Sequence, residues 1–447
     1  MEKLWNPGND NPYKKRTWYR LDNAAKMIPS STHFSNTRVF RICCELHEEV
    51  EPELLQEALD ETAREFPYFN SILRRGLFWY YLEETDKRVI VRQDDLPACA
   101  SLYHPGSKEL LYRLNYYGRR INMEMYHVLA DGTGAFVFFR RIITKYLLRK
   151  HPECGVSDRE LLNMTEEENV RDAFNHYYTK GKGLSQLKQM SSNWAFRLRG
   201  PKDPNMENHL VECVVDSREF MDMAHRYDTT VGVLCTSLFI EAVIDEMTIR
   251  ERMKKKITIS VPVNLRRYFP SDTNRNFFGV ITITYVPENY SGDLREIIES
   301  VRDSFAHQLS EEMIAKTMAS YSALEHNAAI KVVPLLLKDR VMQGFSVMSQ
   351  MGVTCSVSNL GRIVMPEVLT PYISYFSAFT TAASAQITIA SFEDRMSFGW
   401  ASGIATHQLM RIFCRKLSER GLDPVVATND YDAHPADAGE ETSGAGM

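Results

Sequence analysis

No apolar run in the 447-residue chain approaches the roughly 18 residues of a membrane span. The opening stretch Met1–Lys15 (MEKLWNPGNDNPYKK) has no hydrophobic signal core, so secretion is not expected. Cysteine is scattered: of eight, only Cys43 and Cys44 are neighbours and no C-x-x-C pair occurs, so neither a zinc site nor a disulfide framework follows. A reducing cytoplasm suits that pattern. An excess of basic charge is also missing. The formal net charge is −5, and the basic clusters Lys14–Arg16 and Glu251–Lys256 read as solvated element ends, so no nucleic-acid partner is expected. There is no internal repeat, P-loop, complete G-x-G-x-x-G fingerprint or G-x-S-x-G elbow, which removes the common nucleotide-binding and hydrolase signatures.

What is present is ordinary globular material, 44% hydrophobic and 25% charged. The length exceeds what one core fills, about 250–300 residues, so two or more domains are expected. Arg38–Val50 reads as a strand. Glu51–Leu73 opens a helix with Pro52 in its first turn, an apolar face of Leu54, Leu55, Ala58, Leu59, Thr62, Ala63 and Phe66, and a stop at Pro67. Strands follow around Leu77–Glu84 and Arg88–Gln93, then a hairpin turning near Tyr117 and Gly118. Asp158–Phe196 is polar and largely helical, and Arg197–His209, with a glycine and two prolines, is the candidate linker. Beyond it, strands are expected at Leu210–Val215, Ile257–Val263, Phe278–Val286, Thr354–Ser358, Ile373–Thr380, Ala385–Phe392 and Met396–Trp400. Helices are expected at Ser217–Arg226, Thr229–Met247 and His407–Arg420. The division is therefore 1–196 as an N-terminal subdomain, 197–209 as linker, 210–430 as a C-terminal subdomain and 431–447 as a polar, disordered tail. Because strands and helices do not alternate strictly, the fold class is α/β with mixed sheets.

The stretch Ile121–Phe138 (INMEMYHVLADGTGAFVF) carries the clearest chemical signal. Ile121, Met123 and Met125 alternate with Asn122, Glu124 and Tyr126 as in a half-buried strand, and a helix begins after Gly132. His127 sits where strand hands over to loop. A neutral imidazole can take a proton from a hydroxyl or amine near pH 7, which would activate an acceptor for direct attack on an acyl carbon. Asp131 is suited to fix the loop through a salt bridge, and Gly132 to let the backbone turn or approach a neighbour. Spacing alone favours a blander account, an interior histidine followed by a turn and an N-cap.

Read with the rest of the chain, Tyr126–Gly132 (YHVLADG) resembles the H-x-x-x-D-G signature of the chloramphenicol-acetyltransferase-like superfamily, which includes alcohol acetyltransferases and condensation domains. Leu54–Leu73 is similar to that family's first helix, Val261–Val280 (VPVNLRRYFPSDTNRNFFGV) to its P-V-(N/D)-L-R … N-x-x-G segment, and Val357–Ile363 (VSNLGRI) to its S-N-x-G strand end. Arg20–Ser30 (RLDNAAKMIPS) resembles the opening of the bacterial alcohol-acetyltransferase branch, and the likeness covers all but the tail. It implies two chloramphenicol-acetyltransferase-like subdomains forming a pseudo-dimer with a channel between them. It implies His127 and Asp131 as the catalytic pair: His127 the general base, Asp131 a structural carboxylate turned towards an arginine, with Arg266 the candidate partner and Gly132 supporting the site. Ser358 and Asn359 become candidates for the oxyanion or channel wall, against a plain strand terminus. No metal and no bound cofactor are implied. The co-substrate would be acyl-CoA, acetyl-CoA first among them, and the acceptor a small alcohol or, less readily, an amine. The alternatives are an acyl group on a carrier protein, or a silent relative holding a hydrophobic ligand.

One departure and three side readings accompany this. Members with two histidines have one where Tyr126 stands, which weakens kinship to the peptide-forming branch. Met396–Ser402 (MSFGWAS) resembles the D-F-G-W-G of the plant branch with Ser397 in the aspartate's place, and reads as a strand with Trp400 in the core. Asn264, Asn276 and Gly279 are expected to shape a turn, and the 20 methionines to fill core rather than line a tunnel.

Overall fold

The computed structural model describes residues 17–156, 195–316, 333–381 and 384–429. The expected helical stretch Asp158–Phe196 falls almost wholly outside them, as does the expected tail, 431–447. The first half runs β1 (Trp18–Arg20), α1 (Ile28–Ser31), β2 (Val39–Leu46), α2 (Pro52–Glu65), β3 (Ser71–Arg75), β4 (Tyr80–Glu84), β5 (Arg92–Gln93), β6 (Tyr112–Tyr117), β7 (Arg120–Tyr126) and α3 (Gly132–Lys150). The second runs β8 (His209–Asp216), α4 (Ser217–Arg226), α5 (Val231–Glu246), α6 (Ile249–Arg252), β9 (Ile257–Asn264), β10 (Phe278–Tyr285), α7 (Leu294–Gln308), α8 (Leu335–Met351) and β11 (Cys355–Arg362). It continues through β12 (Ile373–Thr380), β13 (Ala385–Phe392), β14 (Arg395–Ser402), α9 (Gln408–Glu419) and β15 (Val425–Thr428).

The described strands form three sheets: β1-β4-β3, β12-β2-β7-β6-β5, and β10-β9-β11-β13-β14-β8-β15. The seven-stranded sheet is mixed, with β11 parallel to both β9 and β13 and its other pairs antiparallel. Each half buries its own core. In the first, Leu55, Ala58 and Leu59 of α2 and Phe138, Phe139, Ile142 and Ile143 of α3 pack with Ile42, Met123 and Met125 of the sheet. In the second, α5 is buried along Val233–Ile244, which suits a helix apolar all round, and it packs with Ile259, Ile387, Phe398 and Trp400. No single helix among the described residues is long and apolar enough to cross a membrane.

Several sequence expectations are corrected or extended. The first helix ends at Glu65, close to the expected stop at Pro67, and Ser71–Arg75, which the sequence assigned to no element, is a strand paired with β4 after the Pro67–Phe69 turn redirects the chain. Of the expected strand Arg88–Gln93, only Arg92 and Gln93 pair. The C-terminal block 210–430 does not keep its strands to itself: β12 leaves the second half and pairs with β2, from Ile373 opposite Leu46 to Thr380 opposite Phe40.

β12 also lies against β14. An ideal Cβ on Gly399 would come within 2.0 Å of the Ala378 carbonyl oxygen, so a hydrogen at this position lets the two backbones meet. Gly399→Ala should therefore lower stability by about 1–3 kcal/mol through overpacking, read as a lower urea midpoint at unchanged slope.

Candidate active site between the two halves

β7 delivers His127 to the seam of the halves. Its amide donates to the Arg38 carbonyl at 2.9 Å, continuing the β2–β7 ladder by one rung. The ring is half-buried, edge-on to Phe40 and tilted against Phe278, with centroids 5.1 and 5.6 Å away. It borders a cavity of about 100 Å³ whose walls come from both halves: Phe40, Asp131 and Gly132 from the first, and Asn264, Phe278, Ser358 and Asn359 among those from the second.

Asn276, from the second half, holds the ring. Its side-chain oxygen lies 3.1 Å from His127 Nδ1, while its Nδ2 donates to the His127 carbonyl at 3.1 Å and to Asp22 Oδ2 at 3.2 Å. Those two acceptors fix which end of the amide is nitrogen. Oδ1 must then accept, so Nδ1 carries the proton of the neutral ring and Nε2 keeps its lone pair. Burial pushes the His127 pKa below the ordinary 6.5. The Asp131 charge and the Asn276 hydrogen bond act against that, and the Arg38 charge acts with it.

Asp131 turns away from this centre. Its Oδ1 caps α3 by accepting from the Gly134 amide at 2.9 Å and also accepts from Arg266 Nη2 at 3.2 Å. Its Oδ2 accepts from Arg266 Nη1 at 2.8 Å and from the Phe277 amide at 2.8 Å. The remaining Arg266 donors reach the Thr273 and Arg275 carbonyls and Asn264 Oδ1. Two glycines make room. An ideal Cβ on Gly134 would sit 1.9 Å from the Asn274 carbonyl oxygen, and one on Gly132 2.7 Å from Leu360 Cδ2.

Ser358 and Asn359 line the same cavity from the middle of β11, not from a strand terminus. Asn359 Oδ1 accepts from the Gly361 amide at 2.7 Å across a register shift, with Gly361 at φ +82°. No methionine among the described residues lines the cavity, and Trp400 is 2% exposed in the second core. Tyr126 is buried, its hydroxyl 2.7 Å from Thr32 Oγ1 and its ring stacked on Tyr103 at 5.5 Å. Reading the sequence gave no role to Asp22 and only a turn to Asn276. Both stand inside the quoted stretches Arg20–Ser30 and Val261–Val280, but nothing in one sequence pairs them with His127.

No protein-family model and no curated protein matches the chain. Solved structures do. TRI3 trichothecene 15-O-acetyltransferase from Fusarium sporotrichioides superposes with TM-score 0.60 at 10% identity, covering 93% of this chain and 96% of that one. TRI101 of F. graminearum, solved with coenzyme A and T-2 mycotoxin, gives 0.60 at 9%, covering 91% and 99%. The epimerization domain of tyrocidine synthetase B gives 0.56 at 10%, covering 91% and 96%. The chain has the chloramphenicol-acetyltransferase-like fold. At these identities the likeness speaks for the fold, and in this example of it the halves meet at His127, Asp131 and Arg266.

The Asp131–Arg266 pair is 8% and 11% exposed. Removing one partner of a buried pair strands the other charge, so Asp131→Asn should cost about 3–5 kcal/mol. The expected readouts are a lower unfolding midpoint and a poorer soluble yield, with rescue by no acceptor or donor concentration.

Proposed function

We propose that this chain is an acyltransferase that moves an acyl group from acyl-CoA to a hydroxyl acceptor by direct attack, with His127 as general base. The observation that carries the reading is the His127 ring at the inter-half cavity, its Nδ1 held by Asn276 and its Nε2 without a hydrogen bond among the described residues. In the proposed step, Nε2 takes the acceptor's O–H proton while the oxygen attacks the thioester carbonyl carbon. The negative charge that forms on the carbonyl oxygen is met by the Ser358 hydroxyl and the Asn359 amide. Collapse breaks the C–S bond, and the departing sulfur takes the proton back from the imidazolium. Each proton and electron pair is accounted for without a covalent enzyme intermediate. Asp131, with both oxygens occupied, is a positioning residue here.

The test is thiol release from acetyl-CoA and longer acyl-CoAs against a panel of alcohols and amines. His127→Ala should cut turnover by about 10²–10⁴ while leaving the unfolding midpoint close to wild type. Full activity in a folded His127→Ala protein would end the assignment. Turnover only with carrier-bound donors would instead favour condensation-type transfer, and ligand binding with no turnover a silent relative.

A pH profile follows from the direction of the His127 shift. Protonation removes the base, so kcat/KM falls as pH drops. Because burial lowers the His127 pKa, the midpoint should lie below 6.5 and the rate should be flat through neutrality. Asn276→Ala frees the ring to tilt and should lower kcat on the order of 10² with a smaller change in KM.

A further inference from the structure

Arg38 stands at the turn into β2 with φ +56°, a left-handed conformation that a long side chain rarely adopts. Its carbonyl is the one that receives the His127 amide, so the strained residue adjoins the candidate base directly. Its guanidinium has no carboxylate partner among the described residues. Nη2 reaches Ser346 Oγ of α8 at a long 3.5 Å, and Nε is buried without a hydrogen-bond partner. The ionisable groups that sense its charge are His33, Tyr126 and His127, none of them an acid at neutral pH. Several arginines of this sheet and seam sit against carboxylates: Arg41 with Asp94 and Glu124, Arg113 with Glu124, Arg120 with Glu45 and Glu212, Arg266 with Asp131. Arg38 has no such partner among the described residues, and its backbone adjoins His127.

An unpaired, largely desolvated cation is costly, and a planar fork of N–H donors matches the two oxygens of a carboxylate. We propose that Arg38, assisted by the Ser346 hydroxyl, binds a substrate carboxylate beside His127 and so selects acid-bearing substrates. The phosphates of coenzyme A lie a whole pantetheine arm away from the thioester, so the carboxylate belongs either to the acceptor, as in a hydroxy acid, or to the acyl group, as in a dicarboxylic acyl chain. The inference takes its location from the acyl-transfer reading, but its test does not need turnover.

Calorimetric titration of the full chain separates the sources with two matched pairs. The acceptor arm uses 4-hydroxybenzoate against 4-hydroxybenzamide, and the donor arm succinyl-CoA against butyryl-CoA. In at least one arm the acid should bind at least tenfold more tightly than its neutral partner, and that arm names the source. Arg38→Gln should abolish the preference, Arg38→Lys should keep part of it, and Ser346→Ala should reduce it a few-fold. Equal binding within both pairs overturns the proposal, as does a preference that survives in folded Arg38→Gln. Should the wild-type protein turn over no thioester, the acyl-transfer reading fails while the binding preference still decides the role of Arg38.

Discussion

The site depends on one carboxylate that is fully occupied by structure. Asp131 receives hydrogen bonds from the Gly134 and Phe277 amides and from both terminal nitrogens of Arg266. A buried carboxylate with two charge-assisted and two backbone donors has its desolvation offset and no lone pair left for proton chemistry. It caps the helix that follows the histidine and, in the same stroke, anchors the Arg266–Phe277 turn of the other half. Asn276 is the residue next to that anchor. The clamp on Asp131 therefore sets where the Asn276 amide lies, and the amide sets the ring.

The strand that carries His127 is held to the second half at both ends. At its start, Arg120 donates to Glu212 Oε2 of β8 at 2.7 Å and to the Tyr375 hydroxyl of β12 at 2.7 Å, and that hydroxyl donates to Glu212 at 2.8 Å. Past its end, His127 meets Asn276. β12 adds a backbone link, since it comes from the second half of the sequence and hydrogen-bonds to β2, the neighbour of β7. A histidine at the boundary of two cores holds its geometry only if the boundary does not slide. Polar contacts at two points and a shared strand supply that where apolar packing alone would permit slippage.

How much of this could be read from the chain divides along physical lines. Elements with a strong period were legible: α2 from Leu55, Ala58, Leu59, Thr62 and Ala63, and the hairpin β6–β7 from its turn at Gly118, which takes φ +54°. The contact between Asp131 and Arg266 could be expected too, because His127, Asp131 and Gly132 lie within a few residues and Arg266 stands in a recognisable segment. Short strands such as Ser71–Arg75 and Val425–Thr428 were not, since their side chains alternate over too few residues to declare a face and their pairing is chosen by partners elsewhere. The same reason hid the crossing of β12, whose own residues 373–380 read as a strand but do not say which sheet it joins. Asp22 and Asn276 were hidden because an amide between a carboxylate and an imidazole exists only once three distant segments are brought together.

The choice of an amide against Nδ1 has a chemical consequence. A carboxylate in direct contact with the ring would raise its proton affinity and favour the imidazolium. Asn276 is neutral, so it orients the ring and selects the tautomer while leaving burial free to keep the imidazole unprotonated. The negative charge is one link further back, at Asp22, which accepts from the Asn276 amide and from the Ala25 backbone. On the proposed reading, a proton arriving at Nε2 would spread positive charge over a ring at which the Asn276 oxygen dipole points, with Asp22 behind the amide. Support would then grow with the charge of the proposed transition state and be small for the resting neutral ring. That asymmetry is what the proposed general base would require of a half-buried seam.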